Sequence, residues 1–437
     1  MISILSVLVY VFCGISALMI VYYCLSLFRS ARYFKAAKSI NSFIKSQDDS
    51  IVEMAVILPC LREQNIISES IDYFCSMNLS HTHMHLIISC TKRELVSNEK
   101  YGFSISSAEV ARNHISALGK LSNVDFFVYE AEDFNGGDRA TQMNEAMDAF
   151  LSQGHKVDIV AVFDADSRPD KETFEEVAYR FKENPKCIYQ QPENYLAFAE
   201  SISKSKKSKI AVANALYQHV WTIINEIPMF ERYSKKNDSF LYMNGHGMFF
   251  PLKQYLKLRF PEHEVTDGIH VGYRVWVSHS PLRPLLLQGY TEAPVEIKKL
   301  PQQHKRWFGG SIRLYYAIEW GKKRGTKPSF LSTVWGYWTQ VRWCLTANVY
   351  LINFVLSMLS LLIYKEYAPL IFMLALLFSY SYLLSIISMS FSSNKYKISF
   401  WGFALIPFAV FAKSLGPDLF FIEKLFKRKI EYQKCER

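Results

Sequence analysis

From Ile2 to Phe28 the chain carries no charged side chain, and the run ILSVLVYVFCGISALMIVYYCLSLF is long enough to cross a hydrocarbon core of about 30 Å as one helix. A secretory signal would have a shorter apolar core, basic residues before it and a small-residue cleavage site after it. Here Arg29, Arg32, Lys35 and Lys38 come directly after the run, so the charge rule places the N-terminus outside and the following residues in the cytoplasm. A second apolar region closes the chain. Leu345 to Tyr364 and Pro369 to Met389 read as two spans joined by the turn Lys365-Glu366-Tyr367. The run Ile398 to Ala412 is shorter and contains Pro407, and the basic stretch EKLFKRKIEYQKCER follows it. It is expected to be interfacial or re-entrant, because a full crossing would carry those cations outside. The expected organisation is a transmembrane helix at 1–28, a basic linker at 29–50, a cytoplasmic domain at 51–328, a membrane region at 329–412 and a basic cytoplasmic tail at 413–437.

Composition narrows the classes. Of the 437 residues 50% are hydrophobic and 21% charged, which excludes a disordered or fibrous chain. Fifty Lys and Arg against 40 Asp and Glu give a net charge of +10, suited to anionic lipids or an anionic substrate, and no nucleic-acid partner is expected. The 8 cysteines have no zinc or disulfide spacing, as befits reduced thiols in a cytoplasmic domain. A transporter is disfavoured, since the apolar spans hold no acidic residue from which to build an ion path.

The middle of the chain alternates short β-rich runs with amphipathic helical ones. Met54–Pro59, His85–Ser89, Val124–Tyr129, Asp158–Phe163 and Cys187–Gln190 read as strands. About Asn65–Met77, Ser106–Leu118, Asp138–Gln153 and Lys171–Lys182 read as helices. This alternation predicts an α/β domain, a mostly parallel sheet with helices on both faces and its ligands at the carboxyl ends of the strands. Asp164 and Asp166 leave the end of such a strand two residues apart. Paired carboxylates there can hold Mg²⁺ or Mn²⁺ against a diphosphate, while the alternative for the same residues is a strand-terminating turn.

Four motifs then make the chain similar to membrane-bound family 2 glycosyltransferases of the Rossmann-like GT-A fold, the group that includes cellulose, chitin and hyaluronan synthases. VILPCLRE (Val56–Glu63) resembles the opening strand and Pro-x-x-x-Glu turn beside the nucleotide base. GGDRATQMNEAM (Gly136–Met147) resembles the Lys-Ala-x-Ala-Leu-Asn helix, with Arg139 in place of Lys and Asn144 matching Asn. VFDADS holds the metal and nucleotide-sugar acids, and QHKRW (Gln303–Trp307) matches the Gln-x-x-Arg-Trp that caps the acceptor end. The resemblance implies an inverting transfer of a hexosyl or N-acetylhexosaminyl group from a nucleotide-sugar to a lipid-linked or growing polysaccharide acceptor. It also implies donor contacts at Pro59, Glu63, Arg139, Asn144 and Asp164, metal ligation by Asp164 and Asp166, and acceptor or diphosphate contacts at Gln303, Arg306 and Trp307.

Two positions depart from the family pattern. Ser89-Cys-Thr-Lys92 stands where Asp-Asp-Gly-Ser is usual, and Val265-Thr-Asp267-Gly268 stands where Thr-Glu-Asp supplies the base. Asp267 is therefore the expected general base, with Glu262 and Glu264 as competitors and a helix N-cap as its alternative role. A catalytically inactive subunit of a synthase complex is the alternative for the whole chain. Arg306 and Trp307 could also form a snorkelling pair at the membrane surface. Gly309-Gly310 suggests a hinge, and Phe308 with the aromatic stretch Trp335–Trp343 suggests a stacking platform. His246, between glycines in YMNGHGMFF, is a candidate metal ligand or acceptor partner. Lys204–Lys209 reads as a solvated helix face or, alternatively, a contact for lipid headgroups. Tyr432–Arg437 resembles the Trp-x-Lys-Thr-x-Arg ending of some bacterial members.

Overall fold

The computed structural model describes residues 4–37, 39–40, 44, 50–95, 102–132, 138–205, 208–264, 266–392 and 395–426. The ending at 432–437 lies outside them. Helix α1 (Ile4–Ala37) carries the first apolar run and continues past Phe28 through Arg29, Arg32 and Lys35. The first part of the expected linker is thus helical, for a packing reason: the Tyr33 hydroxyl is buried and donates to the Leu285 carbonyl at 2.6 Å, docking the basic end of α1 on the domain below.

The domain then alternates β1 (Val52–Pro59), α2 (Ile67–Cys75), β2 (Thr82–Thr91), α3 (Ser107–Leu118), β3 (Val124–Ala131), α4 (Arg139–Ser152) and β4 (Ile159–Val162). After these come β5 (Arg168–Pro169), α5 (Thr173–Glu183), β6 (Ile188–Gln190), β7 (Glu193–Asn194), α6 (Leu196–Ser205), α7 (Lys209–Trp221) and α8 (Ile227–Lys235), with a wider turn at Thr222–Glu226. The domain ends with β8 (Met248–Pro251), α9 (Leu252–Leu258), α10 (Asp267–Val277), β9 (Leu282–Pro284), β10 (Gly289–Tyr290), α11 (Lys299–Ser311) and α12 (Leu314–Lys322).

Seven strands form the main sheet in the order β3-β2-β1-β4-β8-β6-β9, all parallel except β8, and β5-β10-β7 form a small second sheet. The parallel half follows from its helical crossovers, since parallel neighbours cannot be joined by a tight turn. Alternate residues of β1 enter two cores. Met54, Val56 and Leu58 meet Phe74, Phe163 and Phe174 on one face, while Ala55 and Ile57 meet Met143, Met147 and Phe150 of α4 on the other. Burial on both faces is why β1 reads as a continuous apolar run.

Helix α13 (Phe330–Tyr364) ends where Lys365 adopts a left-handed φ of 59°, and α14 (Ala368–Phe378) starts directly after the expected turn. It runs through a wide turn into α15 (Leu384–Ser390). The last apolar run is broken into α16 (Phe400–Ala404), α17 (Ile406–Ser414) and α18 (Gly416–Leu425). Helix structure therefore continues beyond the boundary expected at Ala412, because α18 lies along α11, with Lys305 donating to Glu423 at 2.8 Å. Among the described residues, Ser6–Ala37, Ala368–Ser390 and Phe400–Leu425 are long and apolar enough to cross a membrane, and Leu351–Tyr364 is a shorter apolar helix. Of the run Lys204–Lys209, Lys204 and Ser205 end α6 and Lys209 begins α7 after its cap Ser208, while residues 206–207 lie outside the described residues.

Candidate active site

A cavity of about 1440 Å³ opens at the carboxyl ends of β1 and β4 and reaches the apolar helices α1 and α14. Its lining includes Pro59, Glu63, Arg139, Asp164, Asp166, His246, Asp267, Gln303, Arg306 and Trp307. Residues that are up to 248 positions apart in sequence thus meet in one space.

The Asp164–Ser167 turn is closed by Ser167, whose hydroxyl accepts the Asp164 N–H at 3.1 Å and whose own N–H donates to the Asp164 carbonyl at 3.0 Å. The Asp164 carboxylate receives Arg139 Nη2 at 2.6 Å, while Arg139 Nη1 donates to Asp267 Oδ2 at 2.6 Å. Burial works against the Arg139 charge, but Asp267 and Asp164 outweigh it and push its pKa up. Arg139 therefore fixes the expected metal-binding acid and the expected base in one bidentate arrangement. Asp267 Oδ1 has no hydrogen-bond partner among the described residues, and Asp267 lines the cavity.

Asp267 is the first residue of α10, and Thr266 takes the N-cap position without a side-chain cap bond. The expected capping role is corrected accordingly: the Asp267 carboxylate is drawn to Arg139 instead. Gly268 makes this approach possible, because a β-carbon there would lie 2.1 Å from the Gly245 Cα. Of the competitors, Glu262 accepts from Asn144 at 2.9 Å and does not line the cavity. Glu264 lines it but accepts from Arg313 at 3.1 Å and lies 3.3 Å from His270.

Asn144 is brought near the site but not into it. Its buried amide donates to the Phe260 carbonyl at 2.9 Å and its carbonyl accepts from Tyr255, so it braces the loop after α9. Two residues that sequence reasoning passed over brace the expected donor end. Gln142, one helical turn along from Asp138, donates to the Cys60 carbonyl at 3.1 Å and to the Ser89 carbonyl, clamping β1 to β2. Glu94 is fully buried and accepts the N–H groups of Arg62 at 2.7 Å and Ser107 at 2.5 Å. It holds the turn before Glu63, where Arg62 has a φ of 57°.

At the other end, Gln303, Arg306 and Trp307 occupy one face of α11 and line the cavity, which removes the reading of a surface-snorkelling pair. Gly309 and Gly310 are not a hinge. They are buried within α11, and a β-carbon on Gly310 would fall 1.8 Å from Thr266 Oγ1, so the glycine lets α11 lie against the start of α10. Phe308 is fully buried against Trp343, Phe420 and Phe421 and offers no stacking surface, whereas Trp343 itself lines the cavity. His246 Nε2 pairs with Glu193 at 2.8 Å. Nearby, burial first and then Glu193 raise the Glu226 carboxyl to about 8, with Thr222 and Asn244 as its hydrogen-bond partners.

A second group of ligand-type atoms, from His83, His85 and Asp125, lies within 4.8 Å. It belongs to the opposite end of the strands: His85 is level with Ala55 on β1, whereas Ser89 is level with Pro59. It is tied up by His83–Asp125 and His85–Glu53 contacts of 3.1 and 3.0 Å, and is separate from Asp164 and Asp166.

A mostly parallel sheet with a large cavity at its carboxyl ends and paired acids at the mouth is the site layout of an open α/β enzyme. The chain belongs to the glycosyl transferase family group 2, whose model matches residues 159–412, more than half of its length. In fold it is similar to the mannosyltransferase PcManGT from Pyrobaculum calidifontis, solved with GDP-Man and Mn²⁺. The TM-score is 0.51 at 11% identity, covering 95% of this chain and 99% of that one. A weaker likeness, TM-score 0.32 at 11% identity, joins 88% of this chain to 98% of residues 1–349 of S. aureus TarS in complex with UDP-GlcNAc. A search of curated proteins gives no match.

Proposed function

We infer that this glycosyltransferase moves a hexosyl or N-acetylhexosaminyl group, with inversion, from a nucleotide-sugar to a lipid-linked or growing polysaccharide acceptor at the cytoplasmic membrane face. The synthesis of surface or capsular polysaccharide is the process this fits. The observation that carries the reading is the Arg139 bridge between Asp164 and Asp267 at the mouth of a cavity that continues to Met19 and Ile20 of α1 and Leu376 and Leu377 of α14.

Asp267 Oδ1 takes the acceptor hydroxyl proton as that oxygen attacks the anomeric carbon, and the bond to the donor diphosphate breaks with its electron pair left on the diphosphate. Asp164 and Asp166 supply hard oxygen ligands of the kind that suit Mg²⁺ or Mn²⁺, and a cation there would neutralise the leaving diphosphate. Pro59 and Glu63 border the base end of the donor, and Asn144 supports it from behind. Gln303, Arg306, Trp307 and His246 border the acceptor. The cations Arg29, Arg32 and Lys35 at the end of α1 support a cytoplasmic domain with the N-terminus outside. The last apolar run remains interfacial or re-entrant in this reading, supported by its breaks at Leu405 and Leu415.

The test is a screen of nucleotide-sugars for metal-dependent stabilisation of the detergent-solubilised protein, followed by donor turnover. A true donor raises the melting point only with the cation present. A chain that binds a donor in this way but never hydrolyses or transfers it would support the second reading, an inactive synthase-complex subunit. That reading has in its favour that Arg139 engages both acids.

A further inference from the structure

Lys413, on α17, lies within the apolar segment Phe400–Leu425 and is only 6% exposed. Its ammonium sits 3.1 Å above the Tyr217 ring and 5.8 Å from Trp221, and no carboxylate or hydrogen-bond acceptor meets it among the described residues. The acids nearest in sequence are engaged elsewhere: Glu423 receives Lys305, and Asp418 accepts from Asn348 at 3.0 Å. Ring faces recover less for a desolvated cation than burying a charge without its counter-ion costs.

The neighbouring wall repeats the pattern. Both nitrogens of His304 and Oε1 of Gln303 are buried without a partner, and both residues line the same cavity as Lys413, Ser414 and Arg342. Burial lowers the His304 pKa to about 3, so its imidazole is neutral and offers one N–H donor. The arrangement is held by close backbone contact, since a β-carbon on Gly416 would lie 2.6 Å from the His304 carbonyl carbon. A buried lysine unpaired among the described residues, a buried unpaired histidine donor and an aromatic floor together form a built site for an anion. The cavity also has an apolar wall, with Met19 and Ile20 of α1 and Met373, Leu376 and Leu377 of α14.

We propose that the acceptor is a lipid bearing a phosphate or diphosphate group, with that group seated on Lys413 and His304, beside Gln303, and its hydrocarbon chain against α1 and α14. The proposal rests on the transferase reading and deepens it. It selects an amphiphilic anion over a neutral polysaccharide chain, which would leave the Lys413 and His304 donors without an anionic partner and the apolar wall wet. The sugar-accepting hydroxyl then lies on the head group of this lipid, on the Asp267 side of the phosphate.

The test uses the full chain in detergent, with a long-chain isoprenoid phosphate, the matching isoprenol, phosphatidic acid and inorganic phosphate as separate probes. The isoprenoid phosphate should raise the melting point, while the isoprenol and inorganic phosphate should not. Lys413→Met should weaken isoprenoid-phosphate binding at least tenfold and Lys413→Arg should restore part of it, with metal-dependent nucleotide-sugar binding kept in both. His304→Phe, which retains the ring volume, should weaken the same ligand. Equal binding of isoprenol and its phosphate, or wild-type affinity in Lys413→Met, would overturn the proposal. Protection by inorganic phosphate alone would overturn the lipid assignment, and equal protection by phosphatidic acid would reduce the site to a contact for bulk anionic lipid. Loss of nucleotide-sugar binding in the unmodified chain would instead strike the transferase reading, so the two failures are told apart.

Discussion

At the donor end of the cavity the polar side chains hold one another, with Glu94 on two backbone N–H groups, Gln142 across β1 and β2, and Arg139 between Asp164 and Asp267. At the acceptor end Gln303 Oε1, both His304 nitrogens and the Lys413 ammonium meet no polar partner among the described residues. Buried polar groups are costly when unpaired, so the first end is satisfied as folded, whereas the second is satisfied only with a ligand under the proposal above. In the proposed reading, donor chemistry is organised before the donor arrives, while the acceptor brings part of its own site with it.

The most direct way to break this contrast is to disable the base without disturbing the donor. Asp267→Asn should leave nucleotide-sugar affinity nearly unchanged and reduce transfer on the order of 10²-fold or more, the size expected for a lost general base. Rate and donor affinity measured on the same preparation decide it. A fully active Asp267→Asn, with Glu264→Gln inactive instead, would move the base to the Arg313–Glu264 pair. Next in size, Asp166→Ala should remove the part of donor binding that depends on Mg²⁺ or Mn²⁺, read as the loss of the cation-dependent rise in melting point. If donor binding in Mn²⁺ stayed intact, the paired acids would have only the turn-forming role.

The same contrast governed what the sequence could reveal. The placement of Asp164 and Asp166 at the cavity mouth was legible because one apolar run that must be a buried strand, Asp158–Phe163, ends directly before them. Glu94 and Gln142 were not legible, since their partners lie 32 and 82 residues away and nothing local marks them as clamps. Gly309-Gly310 misled in the opposite direction. Two glycines suggest freedom, yet Thr266 Oγ1 fills the space a side chain would need, so here their small size serves packing. Lys413 appeared to begin a solvated tail, and only the fold of α17 over Tyr217 reveals it as buried.

A smaller effect sharpens the claim that the donor end is self-sufficient. Glu94→Gln replaces a carboxylate that accepts from Arg62 and Ser107 with an amide that has one acceptor oxygen. Hydrogen bonds to a charged group contribute about 1.5–3 kcal/mol each, so a loss of about 2–3 kcal/mol in stability is expected, with a lower melting point of the donor-free chain. Acceptor binding should be unaffected, as the Glu94 contacts lie at the donor end; a parallel loss at both ends would mean that the two are not independent.

The smallest expected effect concerns the wall between the ends, where Glu226 faces Glu193 and His246 as well as its partners Thr222 and Asn244. Its carboxyl is raised from an ordinary 4.5 to about 8 by burial and by the Glu193 charge. A raised folded-state value means the folded chain holds this proton more tightly than the unfolded one. The resulting stability is fully present below about pH 4.5 and is lost as pH rises through about 8. Glu226→Gln keeps the shape of the neutral acid and cannot ionise, so its melting point should lie close to that of the parent at pH 6 and above it at pH 9. Melting curves across pH 5–9 would show the parent falling more steeply than the variant over the upper half of the range. Parallel curves would mean that Glu226 stays charged when folded, stabilised by His246 across the Glu193 pair, and that the wall between donor and acceptor carries a standing negative charge.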